Sequence, residues 1–538
     1  MKRTGRRGMV GVARFFMPGA YPADASSAQN VVNVSPVPGA LSERPNGSSD
    51  PSTVKGSYRA DSFALGMLVM IAVTIVGRAI GFIRGMFFCR LMDDVDVGRW
   101  AMAFGFISLI TPVMLLGIPG SLPRFVEHYR RRGYLKEYLR TIAIGTSACA
   151  ACFIVAMLAV PSWFAWFVFL QAEQTALIWS VASAVAGIII YNFFSDVSAA
   201  LRRVRTVSTM QFCQGVGFTL LSVLWLLSGG GLVGVVWLFT VSCLLATLPG
   251  LWSLTCNWQS AVESDDVAVE GSTPRVIDFA RRLLPFSMAV WAMNLIGNAF
   301  ELSDRYMILH LSPGGELAGA TAVGQYFSGR LIPMVLLSLG TMLGGMLLPY
   351  LTTDHEDNNH QRVQSRLSDV VTLMSLVFTA GAVAVQWLGP FIFQTLLQGR
   401  YSAGLSIMPL AMCFCTWAAM VTVGQNFLWV IERGKEISIA MAVGLVSNLL
   451  LNWLLIPLMG LQGAVAATAM SNALVLMGVG VGMYLHGFRF DASLLVAATV
   501  PLLPVISPGL GLVGVFAVTA CLLIDEERRQ RVLQVAFR

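Results

Sequence analysis

The feature that most constrains this chain is a succession of apolar runs, each about 20 residues long, from Ser62 to Ile524. A run of that length forms a helix that crosses the hydrocarbon core of a bilayer. Since lipid offers no partner to backbone N–H and C=O groups, such segments fold as helices. Of the 538 residues, 56% are hydrophobic and only 12% are charged. The sequence therefore predicts an all-α, polytopic membrane protein.

We predict about fourteen membrane-spanning helices from the apolar runs. Their approximate bounds are 62–88, 99–122, 141–160, 175–200, 207–228, 231–254, 278–302, 320–350, 368–388, 403–431, 436–457, 461–485, 491–506 and 508–524. The last two segments are short, and they fit either two full spans or one re-entrant pair.

Lysine and arginine recur in alternate connections between these spans. The basic connections carry Arg124, Arg130, Arg131, Arg132, Lys136 and Arg140, then Arg202, Arg203 and Arg205, then Arg275, Arg281 and Arg282, then Arg362 and Arg366, then Arg433 and Lys435. The intervening connections are acidic or neutral. Because cytoplasmic loops carry the excess of lysine and arginine, we expect both termini in the cytoplasm. The formal charge of +7 is then a topology signal and does not indicate nucleic-acid binding.

An internal repeat is visible in short motifs. Val97-Gly98-Arg99-Trp100 leads to Pro123, and Val323-Gly324-Gln325-Tyr326 leads to Pro349, with an offset of 226 between the two prolines. A repeat unit of six spans gives both copies the same orientation, and such halves enclose a substrate site between them. The predicted organisation is therefore a disordered basic tail (1–61), a six-helix bundle (62–256), a cytoplasmic linker (257–276), a second six-helix bundle (277–487), two further helices (488–524) and a cytoplasmic tail (525–538).

Three arginines lie inside apolar runs. Arg78 and Arg84 flank one face of the first span, about 9 Å apart along the helix axis. Arg330 lies about ten residues into the eighth span, ~15 Å deep. A charge at mid-bilayer costs at least ~2.5 kcal/mol, so such residues face a bundle interior or an aqueous cavity. We predict that these arginines line a cavity for an anionic substrate; a structural arginine bonded to backbone carbonyls is the alternative.

Glycines recur every fourth residue between the first two arginines. They form a smooth strip that lets a head group or a neighbouring helix approach closely, and we assign it to helix packing: Gly77, Gly81 and Gly85.

The seventh span carries a second polar line. Asn294, Asn298, Glu301 and Arg305 return to one side of a helical wheel, and Glu301 precedes Arg305 by four residues, the favourable order for an ion pair. This pattern predicts either cavity-lining residues or a polar seam between helices. Two further acids near span ends, Asp304 and Asp196, fit either a proton carrier that couples transport or a local pair.

The sequence contains no recognisable catalytic motif. We find no nucleophile–base pair, phosphate loop or zinc motif, and most of the nine cysteines are scattered inside apolar runs. We therefore predict that the protein is not an enzyme and uses no metal or cofactor.

The order of these motifs resembles the polysaccharide-transport flippases of the MOP superfamily, which also contains multidrug exporters. The resemblance rests on Arg78-Ala-Ile-Gly81-Phe-Ile-Arg84, Gly117-Ile-Pro119, Ser303-Asp304-Arg305, Leu397-Gln-Gly399-Arg-Tyr401 and Asn448-Leu-Leu-Leu-Asn452, and it runs from about 62 to 487. The two arginines six apart, and Arg330 before Leu-Ile-Pro333, also resemble a sister branch, the lipid II flippases.

The resemblance implies a function in the plasma membrane, which in bacteria with two membranes is the inner membrane. Such proteins export undecaprenyl-diphosphate-linked oligosaccharides for surface polysaccharides such as O-antigen or teichoic acid. The implied partners are the lipid-linked glycan, the bilayer and the polysaccharide polymerase machinery. A lipid II flippase and a cation-coupled multidrug exporter of the same fold stay open as alternatives.

Overall fold

The structure, a computed structural model, describes residues 63–115, 134–256 and 276–524 and the single positions 122, 126 and 129. Side chains are described in these ranges except at 63–71, 276–290, 292–294 and 521–524. The predicted tails, and the predicted linker apart from residue 276, lie outside the described residues.

The N-terminal half consists of helices joined by short connections. They are α1 (Phe63–Leu91), α2 (Asp94–Met114), α3 (Leu135–Ala159), α4 (Pro161–Phe169), α5 (Thr175–Ala200), α6 (Val204–Leu227) and α7 (Leu232–Cys256). The short helix α4 was not predicted. Pro161 occupies its first turn, where a missing N–H costs nothing.

The C-terminal half and its extension are also helical. They contain α8 (Val276–Leu311), α9 (Gly315–Glu356), α10 (His360–Thr395), α11 (Ser402–Val430), α12 (Gly434–Met459), α13 (Leu461–Leu485), α14 (Ala492–Thr499), α15 (Leu503–Ile506) and α16 (Pro508–Ile524), with a 3₁₀ turn at Val500–Leu502. Eleven helices in the described part are long and apolar enough to cross a membrane. The protein is thus an all-α, multi-pass membrane protein, while the count of fourteen spans stays a prediction.

Several helices are longer than predicted, because their end turns carry charges that a hydropathy pattern does not assign to a span. The second helix begins at Asp94, not near residue 99, and Asp94 and Asp96 occupy its first turn. Carboxylates stabilise that position through the helix dipole. The seventh predicted span continues to Leu311, so Asp304 and Arg305 lie well inside α8. Hydropathy alone assigned these charged turns to loops.

The two halves have the same internal pairings. In the first half α1 packs on α6, and α5 and α6 pack on α7. In the second half α8 packs on α12, and α11 and α12 pack on α13. These pairings are consistent with the predicted repeat, which stays a prediction.

The halves meet most closely where α2 crosses α9. A β-carbon on Gly98 would overlap the carbonyl of Ala320, and one on Gly324 would overlap the carbonyl of Asp94. Each glycine therefore lets the other helix approach to backbone contact. The Gln325 side chain adds to this contact, since its Nε2 donates to Asp94 Oδ2 at 3.4 Å and to the Arg400 carbonyl at 2.9 Å. The resulting backbone seal closes one end of the interface between the halves.

We predict that the sealed end faces outward, because the α6–α7 turn lies at that end of the chain's topology and carries no lysine or arginine. A cysteine replacing Gly231 in that turn should react with a membrane-impermeant maleimide in intact cells. A cysteine replacing Glu356, at the opposite end of α9, should react only after the cells are permeabilised. The unsubstituted protein gives the background from the natural cysteines, and the reverse labelling pattern would overturn the orientation.

Candidate functional site

A cavity of about 450 Å³ lies between the two halves. Helices α1 and α2 form one wall, and α8 and α9 form the other. The predicted cations of both halves line it, together with one arginine of the polar line: Arg78, Arg84, Arg305 and Arg330. The carboxylate of Glu301 lines it as well, so among the described side chains four arginines and one glutamate face the cavity.

Arg84 and Arg330 are held by aromatic rings and not by acids. The Arg84 guanidinium lies 4.7 Å from the centre of the Phe218 ring, and its Nη1 donates to Thr219 Oγ1 at 3.5 Å. The Arg330 guanidinium lies 5.0 Å from the centre of the Tyr326 ring. Among the described residues, no carboxylate lies within ion-pair distance of either arginine. Neither cation is therefore paired directly with an acid in this part of the chain.

Arg330 has an unused donor. Its side chain is only 7% exposed, and its Nη1 donates to the Tyr326 hydroxyl at 3.3 Å. Its Nε is buried and has no hydrogen-bond partner among the described residues. Leaving a buried charged donor unpaired is costly unless a ligand supplies the acceptor.

Arg305 differs from the other cavity arginines because it joins the halves. Its Nη2 lies 3.2 Å from Glu301 Oε1 on the same helix, as the sequence spacing predicts. Its Nη1 donates to the Ala101 carbonyl of α2 at 3.2 Å. Arg305 is thus partly neutralised and anchors α8 to α2 beside the cavity.

The glycine strip packs against a helix at one position only. A β-carbon on Gly85 would contact the Leu331 side chain of α9, at 2.5 Å from its nearest methyl group. Gly77 has open space around it, and the nearest atom to Gly81 belongs to Arg84. Gly77 and Gly81 line the cavity and have no other helix against them in the described part of the chain, and a role for them in helix packing stays a prediction.

Asp304 forms the centre of a buried network behind the cavity wall. Its side chain is 1% exposed, and its carboxylate accepts four hydrogen bonds. The donors are the Tyr326 hydroxyl at 2.6 Å, the Thr468 hydroxyl at 2.7 Å and the Asn448 and Asn452 amides at 2.9 Å each. Because Tyr326 also contacts Arg330, the carboxylate is connected to the cavity through a single side chain.

The remaining predicted site residues lie in different places. Asn298 lines the cavity, so the polar line of α8 does face it there. The side chain of Asn294 lies outside the described residues. Asp196 is half-buried near the end of α5 and is not among the residues that line the cavity.

Sequence reasoning missed the aromatic residues of the site. Trp100 and Tyr326 both line the cavity, and they occupy the same position in the two copies of the Val-Gly motif. Trp100 packs with Phe88, whose ring centre is 5.3 Å away, and with Phe218 at 5.6 Å. The signal in the sequence is the aromatic residue that stands two positions after the glycine in both motifs.

The cavity has the chemistry of an anion site. Guanidinium groups present planar donors that match phosphate or carboxylate oxygens in bidentate pairs. Aromatic walls and bare glycine backbone leave room for a large uncharged group beside those donors. The arrangement is therefore suited to binding an anion that carries a large uncharged group.

Comparisons with known proteins agree with this architecture. Residues 63–355 match the family described as "Polysaccharide biosynthesis protein". A protein of Bacillus subtilis (strain 168) named "Lipid II flippase MurJ" is 21% identical over 440 residues, which cover 75% of this chain and 79% of that protein.

Solved structures share the fold at low sequence identity. "Lipid II flippase MurJ, inward closed conformation" has a TM-score of 0.66 at 11% identity and covers 85% of this chain and 99% of its own. An inward-facing multidrug resistance MATE family transporter of the MOP superfamily has a TM-score of 0.54 at 13% identity and covers 78% of this chain and 97% of its own. The fold is therefore that of MOP-superfamily transporters.

We expect Asp304→Ala to lower the stability of the purified protein markedly. The substitution removes the acceptor that four buried donors share, and only Thr468 and Asn452 keep a second acceptor, the Ala464 carbonyl and Asn448 Oδ1. Each group left unsatisfied costs about 1–3 kcal/mol. Thermal unfolding in detergent measures the effect. Glu301→Ala is the comparison, since this side chain is 48% exposed and the substitution removes one ion pair, with Arg305, in place of a buried acceptor shared by four donors. Equal melting temperatures for the two variants would contradict the network's structural role.

Proposed function

Because the chain belongs to the polysaccharide biosynthesis protein family, we propose that it is a flippase for an undecaprenyl-diphosphate-linked oligosaccharide. It would move this lipid from the cytoplasmic to the outer leaflet of the plasma membrane for surface polysaccharide synthesis. The observation that carries the proposal is the cavity between the halves, whose described lining contains four arginines and one glutamate.

Diphosphate recognition would fall to the two arginines that have no direct ion pair among the described residues. Arg84 and Arg330 come from opposite halves, so a diphosphate between them would bond to both bundles at once. The unpaired Nε of Arg330 supports this assignment, since a phosphate oxygen would supply its missing acceptor. Arg78 lies nearer the start of α1 than Arg84 and is exposed, so it would meet the head group as it enters.

Translocation would follow alternating access. The backbone seal of α2 on α9 closes the cavity at one end, and the proposed orientation makes this the inward-open state. The sugars would enter beside the bare wall at Gly77 and Gly81, while the polyprenyl tail stays in lipid. Separation of Gly98 from Gly324 would then open the outer side and release the head group.

Coupling to an energy source would involve a buried acid. We favour Asp304 over Asp196, because only Asp304 is linked to a cavity arginine through a shared partner, Tyr326. A change in the charge of Asp304 would alter how strongly Arg330 is attracted toward the network and away from a bound anion. The membrane potential could also act on the moving charge, at ~2.3 kcal/mol per unit charge per 100 mV.

A lipid II flippase is the second candidate, and a specific observation favours it. The Bacillus subtilis relative and the solved structure with a TM-score of 0.66 both carry that name. Its substrate shares the polyprenyl diphosphate and differs in the sugar and peptide head group. The family description, by contrast, favours polysaccharide precursors. A multidrug exporter of the same fold fits less well, because a cationic cavity repels cationic drugs.

We predict that Arg84→Ala and Arg330→Ala each abolish or strongly reduce transport. A hydrogen bond to a charged group contributes about 1.5–3 kcal/mol, so each loss should weaken substrate binding about tenfold or more. The measurement is flipping of a fluorescent polyprenyl-diphosphate oligosaccharide in proteoliposomes that contain equal amounts of each variant.

Arg489→Ala is the matched control for this measurement. Arg489 is an exposed arginine in the connection after α13 and does not line the cavity. Its replacement should leave flipping unchanged. Full activity in both cavity variants would refute the proposed site.

Genetic rescue separates the two candidate substrates. We expect the gene to restore surface polysaccharide in a host that lacks its oligosaccharide flippase, and not to support growth after depletion of the lipid II flippase. Rescue of growth alone would transfer the assignment to lipid II. This test is needed because both candidate substrates contain the diphosphate. The arginine variants therefore cannot tell one head group from the other.

A further inference from the structure

A second pocket, of about 670 Å³, lies at the sealed end of the N-terminal half. The start of α2, the connection before α5 and the α6–α7 turn surround it. It is separate from the central cavity, although neighbouring residues of α2 face the two spaces. Arg99 lines the outer pocket and Trp100 lines the central one. Its volume lies in the range of ~300–1,000 Å³ that is typical of small-molecule sites.

One wall of the outer pocket is a tryptophan ring held flat. A β-carbon at either Gly230 or Gly234 would overlap the Trp225 ring, so the ring lies directly on glycine backbone. The indole N–H donates to the Gly231 carbonyl at 3.0 Å and fixes the ring in its plane. Trp225 is nevertheless 42% exposed. Trp225 therefore presents part of an oriented aromatic ring to the pocket.

A second tryptophan lines the same pocket. Trp237 lies on α7, one and a half turns after the α6–α7 turn, and is 47% exposed. Tryptophans are common at the boundary between membrane and water, so exposure alone does not identify a ligand site. The fixed orientation of Trp225 and the charged groups beside it distinguish this pair from a simple membrane anchor.

The polar side of the pocket is built around Arg99. Its Nη1 pairs with Asp96 Oδ1 at 3.2 Å, and its Nη2 donates to Gln171 Oε1 at 2.9 Å. These contacts orient the guanidinium group. Its Nε is buried and has no hydrogen-bond partner in the part of the chain that is described. Asp96 and the nearby Gln174 add acceptors and an amide donor to the same wall.

The flat indole and the polar side chains beside it match the apolar face and the polar edge of a sugar ring. A pyranose has C–H bonds on one face, which gain dispersion and hydrophobic contact on a flat indole. Its hydroxyl groups lie around the edge, where planar charged and amide side chains can donate to them and accept from them. The pocket has no excess of one charge, since Arg99 is offset by Asp96, so it suits a largely neutral ligand better than a phosphate.

We propose that the outer pocket binds a glycosyl residue, with Trp225 stacked on the sugar ring and Arg99, Asp96 and Gln174 bonded to its hydroxyl groups. The pocket lies at the end of the molecule that the proposed orientation places outside. It would hold part of an exported or surface glycan there, apart from the diphosphate site. Binding of this kind does not depend on whether the central cavity transports anything.

Saturation-transfer NMR tests the proposal with the full-length protein in lipid nanodiscs. The probes are trisaccharides built from glucose, galactose, mannose or N-acetylglucosamine. We expect saturation transfer to the ring protons of at least one of them. Trp225→Leu and Trp237→Leu should each weaken that binding about tenfold, the loss of one stacked aromatic contact. No transfer to any of the trisaccharides would overturn the proposal.

Matched variants make the result specific to this pocket. Trp252→Leu removes a tryptophan that is 72% exposed at the other end of α7, and it should leave binding unchanged. Trp237→Leu guards against misfolding of the glycine turn in Trp225→Leu, because the ring nearest to Gly230 and Gly234 is that of Trp225. Equal binding by all three variants and the unsubstituted protein would overturn the proposal.

The central cavity provides the last comparison. Arg84→Ala combined with Arg330→Ala should leave trisaccharide binding intact, even where flipping is lost. Loss of binding in that double variant would place the sugar in the central cavity and refute a separate outer site. Failure of the flippase proposal, in contrast, would leave the tryptophan dependence unchanged.

Discussion

The structure depends on holding guanidinium groups inside a membrane without pairing them directly with acids. An isolated charge is expensive in hydrocarbon, and pairing it with an acid removes the reason to keep it. Arg84 and Arg330 are stabilised instead by aromatic faces, at 4.7 Å from Phe218 and 5.0 Å from Tyr326. A ring quadrupole attracts a cation but leaves its N–H groups available. The aromatic cluster around the cavity therefore preserves the arginines as donors.

The buried carboxylate behind the cavity wall is also stabilised without a direct ion pair. Asp304 is an acid at 1% exposure, and its charge is satisfied by four neutral donors and not by direct contact with Arg330. Tyr326 separates the two charges while bonding to both. A direct pair would be a permanent structural bond. The intervening hydroxyl keeps the cation and the anion coupled, yet leaves each able to respond to its own surroundings.

The helical fold and the convergence of the distant arginines could be read from the sequence, because both follow from the cost of exposing polar groups to lipid. Spans showed as apolar runs, and Arg330 stood out as a charge inside one. The ends of helices could not be read this way, since Asp94 and Asp96 are stabilised by a helix dipole that hydropathy ignores. The Asp304 network also escaped prediction. Its donors come from three other helices, and only the tertiary fold brings Asn448, Asn452 and Thr468 to one carboxylate.

The contact of Gly98 with Gly324 has a genetic consequence. Each glycine faces a main-chain carbonyl, so a larger residue at one position cannot be accommodated by a smaller residue opposite it. Where two side chains touch, a larger one can be compensated by a smaller partner. Here the partner is a main-chain carbonyl, whose size no substitution changes. Suppressor mutations for a defect at either glycine should therefore arise far away, in residues that set the angle between the helices.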